Sequence, residues 1–419
     1  MKKLIFIFLL PLMLWSCSSQ EDFLLENAEV TLPSDYRSHE EIVNEATKAW
    51  AAFKTKSRAE ECAVKKVTPV KNLASRNSAE PMLYAVEFEE EDGFVLVSSP
   101  TNVTPIIGYI ESGSYSTSEI SKVENFDFAL KCANAFVETQ AAIITPEPGP
   151  GIPIKPWFKY DTISLINAKY YVPTKLGEIY PEGCYCPNLQ CGCAATATLH
   201  AMSYFQDKKT YNLTYPGDHV STVTPDWEDI NKHESSNHEL ELISNDIAPY
   251  ASYCPASTEA HNALAFLGRE IGYLMGAKYQ KDKTITSADE FHYQASKLMK
   301  SHFIKEVYND SYLFDDLYKT TNIILISAVT ADYFAHMWVA DGYLALESTI
   351  TYSEYGVTQW SKNEITGKYV HHNWGKNGGY NGYIIDGVFD FEGESYDFLK
   401  PLKSRDEFVD FFHCSHYKK

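Results

Sequence analysis

Gln190-Cys191-Gly192-Cys193-Ala194-Ala195-Thr196-Ala197-Thr198-Leu199-His200-Ala201-Met202-Ser203-Tyr204-Phe205 is the stretch on which the reading of this chain turns. Cysteines around a glycine open it, where a helix is hard to sustain, and an Ala/Thr/Leu/Met run of buried-helix composition follows. Cys193 therefore stands at a helix N-terminus. Unpaired backbone N–H groups and the positive end of the helix dipole favour an anion there, which shifts a thiol toward the nucleophilic thiolate. Free cysteine is also among the most buried residue types, so Cys193 read alone is better taken as a small core hydrophobe. Residues far along the chain decide between the two.

A cysteine nucleophile needs a histidine to take its proton and return one to the leaving amine, and that histidine needs an orienting partner. Downstream, the sequence predicts helices from His261 to Met275 and near Ser287 to Met299. Asn322 to Val329 is an Ile-rich apolar run that reads as a buried strand. Ala335-His336-Met337-Trp338-Val339-Ala340-Asp341-Gly342-Tyr343 follows, read as a strand opening into an Asp-Gly turn. Tyr369-Val370-His371-His372-Asn373-Trp374-Gly375 and Gly378-Gly379-Tyr380-Asn381-Gly382-Tyr383 come next. His336 lies 143 residues after Cys193, within the spacing of roughly 130–150 residues that papain-type enzymes use, and Asn373 lies 37 residues further on. Taken singly, His336 reads as a satisfied core histidine and Asn373 as a turn residue.

Upstream, Thr145 to Pro156 is crowded with prolines and glycines and excludes helix and central strand, so it reads as a stiff, exposed linker open to proteolysis. Before it lies a small domain. Ser38 and Glu41 form a capping box, after which Ile42, Val43, Ala46, Trp50 and Phe53 recur on one helical face. Leu83 to Phe88 and Phe94 to Val97 flank an acidic turn ending in Asp92-Gly93, Ile106 to Ile110 is a further strand, and Phe126, Leu130, Ala133 and Phe136 mark a closing helix. None of these residues has an evident chemical role.

At 419 residues the chain exceeds one ordinary core, and 44% hydrophobic with 14% aromatic residues makes it a folded one. A formal charge of −20 argues against nucleic acid or an anionic membrane surface as partner. Lys2 and Lys3, then the apolar run Leu4 to Trp15, then Leu14-Trp15-Ser16-Cys17 have the form of a bacterial lipoprotein signal, in which Cys17 becomes the lipidated first residue. Any membrane attachment would run through that lipid alone. Gln20-Glu21-Asp22 resembles the acidic tether that sends some such lipoproteins to the cell surface.

Gly192-Cys193-Ala194-Ala195-Thr196-Ala197-Thr198, Ala335-His336 with its apolar strand and Asp341-Gly342, and Asn373-Trp374-Gly375 before the Gly-rich run together resemble the streptopain family of papain-fold cysteine peptidases. Gly93-Phe94-Val95-Leu96-Val97-Ser98 and Ile106-Ile107-Gly108-Tyr109 resemble that family's propeptide. The resemblance spans most of the chain from Glu40 to Tyr383. It implies that Cys193 is the nucleophile and His336 the general base and acid, that Asn373 orients the imidazole, that Trp374 shields that hydrogen bond, and that the Cys193 N–H is one oxyanion donor. No cofactor and no metal is implied. The partners implied are protein or peptide substrates and the chain's own prodomain as inhibitor.

The chain departs from the family where a second oxyanion donor is usual, in a Trp-x-Gln-x-x-Pro-Tyr segment followed by Cys-Pro. Here Thr174-Lys175-Leu176-Gly177-Glu178-Ile179-Tyr180-Pro181 precedes Cys186-Pro187, so Leu176 replaces the tryptophan and Glu178 the glutamine. An ionised carboxylate cannot donate and repels an oxyanion. Phe334 and Ala335 replace glycines before the histidine, and Lys376 replaces a second tryptophan. Cys184, Cys186, Cys191 and Cys193, spaced C-x-C-x4-C-x-C, admit a metal cluster, disulfides, or neighbours of the nucleophile. Metal sites favour C-x2-C pairs, and in an exported protein disulfides among Cys184, Cys186, Cys191 and Cys254 are the better use.

The expected molecule is an α+β protein: signal peptide 1–17, inhibitory prodomain 18–144, linker 145–156, papain-like catalytic domain 157–388, and an extension 389–419 to which no role is assigned. Its expected function is that of a cysteine endopeptidase made as a zymogen and carried to the bacterial outer membrane or cell surface, or released. Glu178 and Leu176 keep open a catalytically weakened papain-fold binding protein. A lipoprotein adhesin with two α+β domains is the non-enzymatic alternative.

Overall fold

The computed structural model describes residues 36–54, 62–70, 81–89, 91–120, 123–142, 157–172, 174–179, 182–206, 210–214, 220–232, 259–281, 283–308, 313–329, 335–354, 357–389 and 411–419. The signal segment with Cys17, the linker 145–156 and Cys254 lie outside them.

Helix α1 (His39–Phe53) starts at the expected capping box: Ser38 Oγ accepts from the Glu41 N–H, and the Glu41 carboxylate accepts from the Ser38 N–H at 2.7 Å. Strands β1 (Val64–Pro69), β2 (Leu83–Phe88), β3 (Phe94–Ser98) and β4 (Ile106–Ile110) form an antiparallel meander. A short α2 (Thr117–Ile120) and a long α3 (Glu124–Ala142) follow. β2 to β4 are apolar at nearly every position because helices cover both faces. Val86, Val95, Val97 and Tyr109 meet α1, whose Trp50 stacks on Phe88 at 5.1 Å, while Leu83, Ala85, Phe94, Leu96 and Ile107 meet Phe126, Leu130 and Ala133 of α3.

The second half begins with β5 (Trp157–Tyr170), then α4 (Cys193–Phe205). Next come the hairpin β6 (Tyr211–Thr214) and β7 (Val220–Val223), α5 (Trp227–Lys232) and α6 (Glu259–Leu274). The ribbon β8 (Lys278–Tyr279) and β9 (Thr284–Ile285) leads into α7 (Ala288–Leu298), β10 (Phe303–Tyr308) and α8 (Phe314–Lys319). The chain ends with β11 (Asn322–Val329), β12 (Ala335–Glu354), β13 (Val357–Asn373), β14 (Gly382–Ile385) and β15 (Phe411–Lys418). α4 to α7 lie on one side of this sheet, where Leu199, Met202, Leu264, Ile271 and Phe291 pack on Ile323, Leu325, Met337 and Val339.

Both halves share one sheet. Its order is β1-β2-β3-β4-β14-β13-β12-β11-β15-β10, with β5 paired to β12, and prodomain β4 meets catalytic β14 edge to edge.

Three features differ from the sequence expectation. Asp341-Gly342 is no turn: β12 runs through it for 20 residues, with a register shift between Ala340 and Gly342. β5 crosses so close that a Cβ on Gly342 would lie 2.3 Å from the Lys169 carbonyl oxygen, so the glycine answers to a neighbouring backbone. The segment 389–419 is not merely an appendage, because β15 lies inside the catalytic sheet between β11 and β10. Cys414, Ser415 and His416 are fully buried there, so these three residues belong to the core. Finally, β5 forms directly after the linker, where no strand was expected. Among the described residues no helix is long and apolar enough to cross a membrane.

Candidate active site

Cys193 is the first residue of α4, behind the N-cap Gly192, and its Sγ lies 3.6 Å from Met337 Sδ. The start of β12, with His336 as its second residue, is thereby set against the start of α4, as the dyad reading requires. The shift at this thiol runs opposite to the one a helix N-terminus alone would give. Burial first, and the Glu178 carboxylate second, push the Cys193 thiol up to about 12, outweighing the helix N-terminus.

Glu178 is held by a loop that α4 itself pins. Thr196, His200 and Ser203, at i, i+4 and i+7, share one face of α4. Thr196 Oγ1 donates to the Gly177 carbonyl at 3.2 Å, His200 Nε2 accepts from the Leu176 N–H at 3.0 Å, and the Ser203 and Thr174 hydroxyls pair at 2.6 Å. His200 must be neutral to accept, and burial pushes its imidazole down to about 3. The Glu178 carbonyl accepts from the Cys191 N–H at 2.9 Å, closing the loop onto the cysteine segment. Burial pushes the Glu178 carboxyl up to about 7, opposed by Lys376 and reinforced by Glu124. Glu178 and Cys193 thus lie within electrostatic reach of each other, and sequence reasoning missed the three α4 side chains that arrange this.

The prodomain covers the other half of the site. Its α3 opens with Glu124-Asn125-Phe126-Asp127-Phe128. Glu124 Oε2 is 3.9 Å from His336 Nδ1, and the Phe128 ring lies 5.9 Å from the imidazole. Asn125, buried, donates from Nδ2 to the Met337 carbonyl at 3.1 Å and the Trp374 carbonyl at 3.0 Å, clasping the residues that follow His336 and Asn373. The only sequence sign of this was a helix start rich in aromatics.

Asn373 ends β13 opposite Val339. In this prodomain-bound state its amide donates to the Thr174 carbonyl at 3.4 Å and accepts from the Gly375 N–H at 3.2 Å, so its hydrogen bonds go to the loop and the turn and not to His336. Trp374 is buried, donates from Nε1 to the Tyr380 carbonyl at 2.8 Å, and packs against His372, Trp338 and prodomain Phe126.

Of the expected disulfide cysteines, Cys184 is disulfide-bonded to a residue outside the described set, whereas Cys186 and Cys191 are free, buried thiols. Cys191 instead makes a 3.3 Å contact with Thr196 Oγ1, beneath the Glu178 loop.

Residues 170–384 match the peptidase C10 family and residues 39–140 match the Spi protease inhibitor family. None of the curated proteins compared matches. Ten chains of solved structures do. One is a fragment of Prevotella intermedia prointerpain A carrying a cysteine-to-alanine substitution, at 16% identity and a TM-score of 0.49, covering 84% of this chain and 98% of that one. A C10 domain over half the chain, preceded by an inhibitor domain that rests on His336, makes this chain a member of the peptidase C10 family: a cysteine peptidase built as a zymogen.

Proposed function

We propose that the protein is an endopeptidase in which Cys193 and His336 form the reacting pair. His336 takes the Sγ proton as sulfur bonds to the scissile carbonyl carbon, and the oxyanion forms against the Cys193 N–H. The imidazolium then protonates the leaving amine as the C–N bond breaks. Water attacks the thioester with His336 as base, releasing the acid and restoring the thiol. Asn373 orients the imidazole once α3 has left, and Glu178, protonated below its raised pKa, donates where the family's glutamine would.

One observation carries this reading: the α4 N-terminus and the β12 start meet at Cys193–Met337, at the place where α3 lays Glu124 and Phe128 on His336. A thiol-reactive peptide epoxide tests it. Cys193 should label only after proteolysis between residues 143 and 159, and failure of the prodomain-free protein to label would sink the assignment. The Glu178 charge beside Cys193 favours a second reading, a weakened papain-fold binding protein. Labelling of Cys193 without turnover of any peptide would select it.

Residues 1–17 are read as a lipoprotein signal, with Cys17 lipidated and the protein held at a bacterial outer membrane or cell surface. Cys17→Ala should move the protein from the membrane fraction to the soluble one.

A further inference from the structure

Among the described residues, the prodomain meets the catalytic domain at two main places. One is the cleft under α3. The other is the edge of β14, where Gly382 pairs with Ile110, Tyr383 with Tyr109 and Ile384 with Gly108. The ladder runs on through the Glu111 N–H, which donates to the Asn381 carbonyl at 2.8 Å, and through Ser112 Oγ, which donates to the Gly378 carbonyl at 2.8 Å. Tyr369 Oη reaches back to the Ile106 carbonyl at 3.0 Å. A Cβ on Gly382 would lie 2.2 Å from the Tyr109 carbonyl oxygen, so the catalytic strand is cut to let this backbone in.

At the end of the ladder stands a charge arrangement that the peptidase chemistry does not use. His371, buried in β13, meets Asp341 Oδ1 through Nδ1 at 2.5 Å and prodomain Glu111 Oε2 through Nε2 at 3.4 Å. Asp341 is itself fully buried and its second oxygen accepts from the Val172 N–H at 3.2 Å, so it belongs to the catalytic domain whatever the prodomain does. Tyr170 and Tyr383 lie against the imidazole ring at 5.1 and 4.8 Å. Lys54 and Lys175 are the other charges that act on Glu111. With carboxylates at both nitrogens the ring carries a proton. Without the prodomain, one N–H of that cation would point at an open sheet edge.

Resting on the zymogen reading, we propose that the β14 edge and His371 form a docking site for an extended strand that ends in a carboxylate, filled here by Gly108–Glu111. This site keeps the prodomain bound, and the enzyme latent, after the linker is cut. The described contacts of the joint lie at residues 106–112, 369 and 378–384 and at Phe53, all outside 145–156. Phe53 of α1 packs on both Tyr109 and Tyr383, at 5.1 and 5.7 Å, so the ladder is covered on that face by an aromatic contact between the halves. An exposed apolar edge strand is also a standing template for pairing, which favours retention over release. Activation then takes two events, the cut and the removal of the bound prodomain.

The test uses the full chain with a specific protease site placed within 145–156. After cutting, both pieces should co-elute at neutral pH at micromolar concentration and peptidase activity should stay low. Separation of the pieces on cutting overturns the proposal. Glu111→Gln keeps the shape and removes the charge, and should raise the dissociation constant of the cut complex roughly tenfold. A value within twofold of wild type overturns the role of Glu111. If that variant does not fold, the cut wild-type complex is followed as pH falls. Glu111 has a depressed carboxyl pKa in the complex, so release should rise as the pH drops below its ordinary range, and a flat profile counts against the site. The two readings separate cleanly. Pieces that stay together but give no activity once the prodomain is digested away defeat the peptidase reading, whereas pieces that part and become active defeat only this one.

Discussion

The two joints between prodomain and catalytic domain differ in kind. At α3 the contact is made by single side chains: Asn125 on two carbonyls, Phe128 and Glu124 beside one imidazole. At β4 it is backbone to backbone along a strand, buried on both faces, with one ion pair at its end. Point contacts block chemistry with few atoms and are undone by one substitution. A strand ladder spreads its free energy over many groups, none of them decisive. Blocking and holding are thus assigned to different elements, and each can be altered alone.

The largest effect should come from removing the chemistry while leaving both joints intact. Cys193→Ala or His336→Ala should lower peptide hydrolysis by the prodomain-free enzyme by roughly a millionfold, since each removes half of one proton-transfer unit. The mutant chains should melt at the wild-type temperature and retain their prodomain. Substantial residual turnover in either would break the dyad assignment.

Glu178→Gln comes next, and here pH decides. Burial holds the Glu178 carboxyl up at about 7 while the prodomain is seated, and Glu124 contributes to that rise. Loss of the prodomain removes Glu124, so the mature group ionises at or below that value. Below it the neutral acid donates to the oxyanion. Above it the donor is lost and a like charge gained, a change of roughly a hundredfold or more in rate. Wild-type activity should therefore fall as pH rises toward 7, whereas Glu178→Gln should stay active through neutrality. Identical pH–rate profiles would place Glu178 outside the oxyanion site.

Asn125→Ala sharpens the contrast between the joints. It should raise the activity of the uncut chain about tenfold by freeing the Met337 and Trp374 carbonyls, yet leave the cut prodomain bound. Loss of both latency and retention would mean that α3 holds as well as blocks.

The smallest effect concerns His371. Burial works against its charge, but Asp341 and Glu111 raise its pKa to about 10 from an ordinary 6.5. A group raised in the folded state stabilises fully below its unfolded pKa and loses that contribution as pH rises through the folded one. The melting temperature of the wild-type zymogen should thus fall more between pH 7 and 10 than that of Glu111→Gln, by about 2 °C. Comparing the two chains cancels the tyrosines that Glu111 does not act on, and Tyr170 and Tyr383, which its charge raises, are followed separately by their ultraviolet absorbance.

Much of this was legible in residue order. The capping box at Ser38, the strands at Leu83, Phe94 and Ile106, the helix starting at Cys193 and the strand from Asn322 all stand where periodicity and punctuation put them. Asp341-Gly342 misled, because Asp-Gly is the commonest turn signal and nothing local says that β5 passes within van der Waals distance of that glycine. Cys193 misled in another way. A helix N-terminus is visible in a sequence, but Glu178 is 15 residues away and its charge at the thiol is a matter of distance in space.

By itself, the sequence determined the helix that carries Cys193, the apolar strands around His336 and Asn373, and the division into an inhibitor half and a peptidase half. The helix and strands follow from local propensity, and the division follows from short motifs that resemble those of a known family. Only the tertiary structure decided that both halves share one sheet, that the C-terminal strand is threaded between β11 and β10, that α3 rests on the imidazole, and that Glu111 reaches His371 across 260 residues of chain. Strand pairing and buried charge are fixed by which surfaces meet. That choice is made by the burial of the whole core, and no short stretch of sequence contains it.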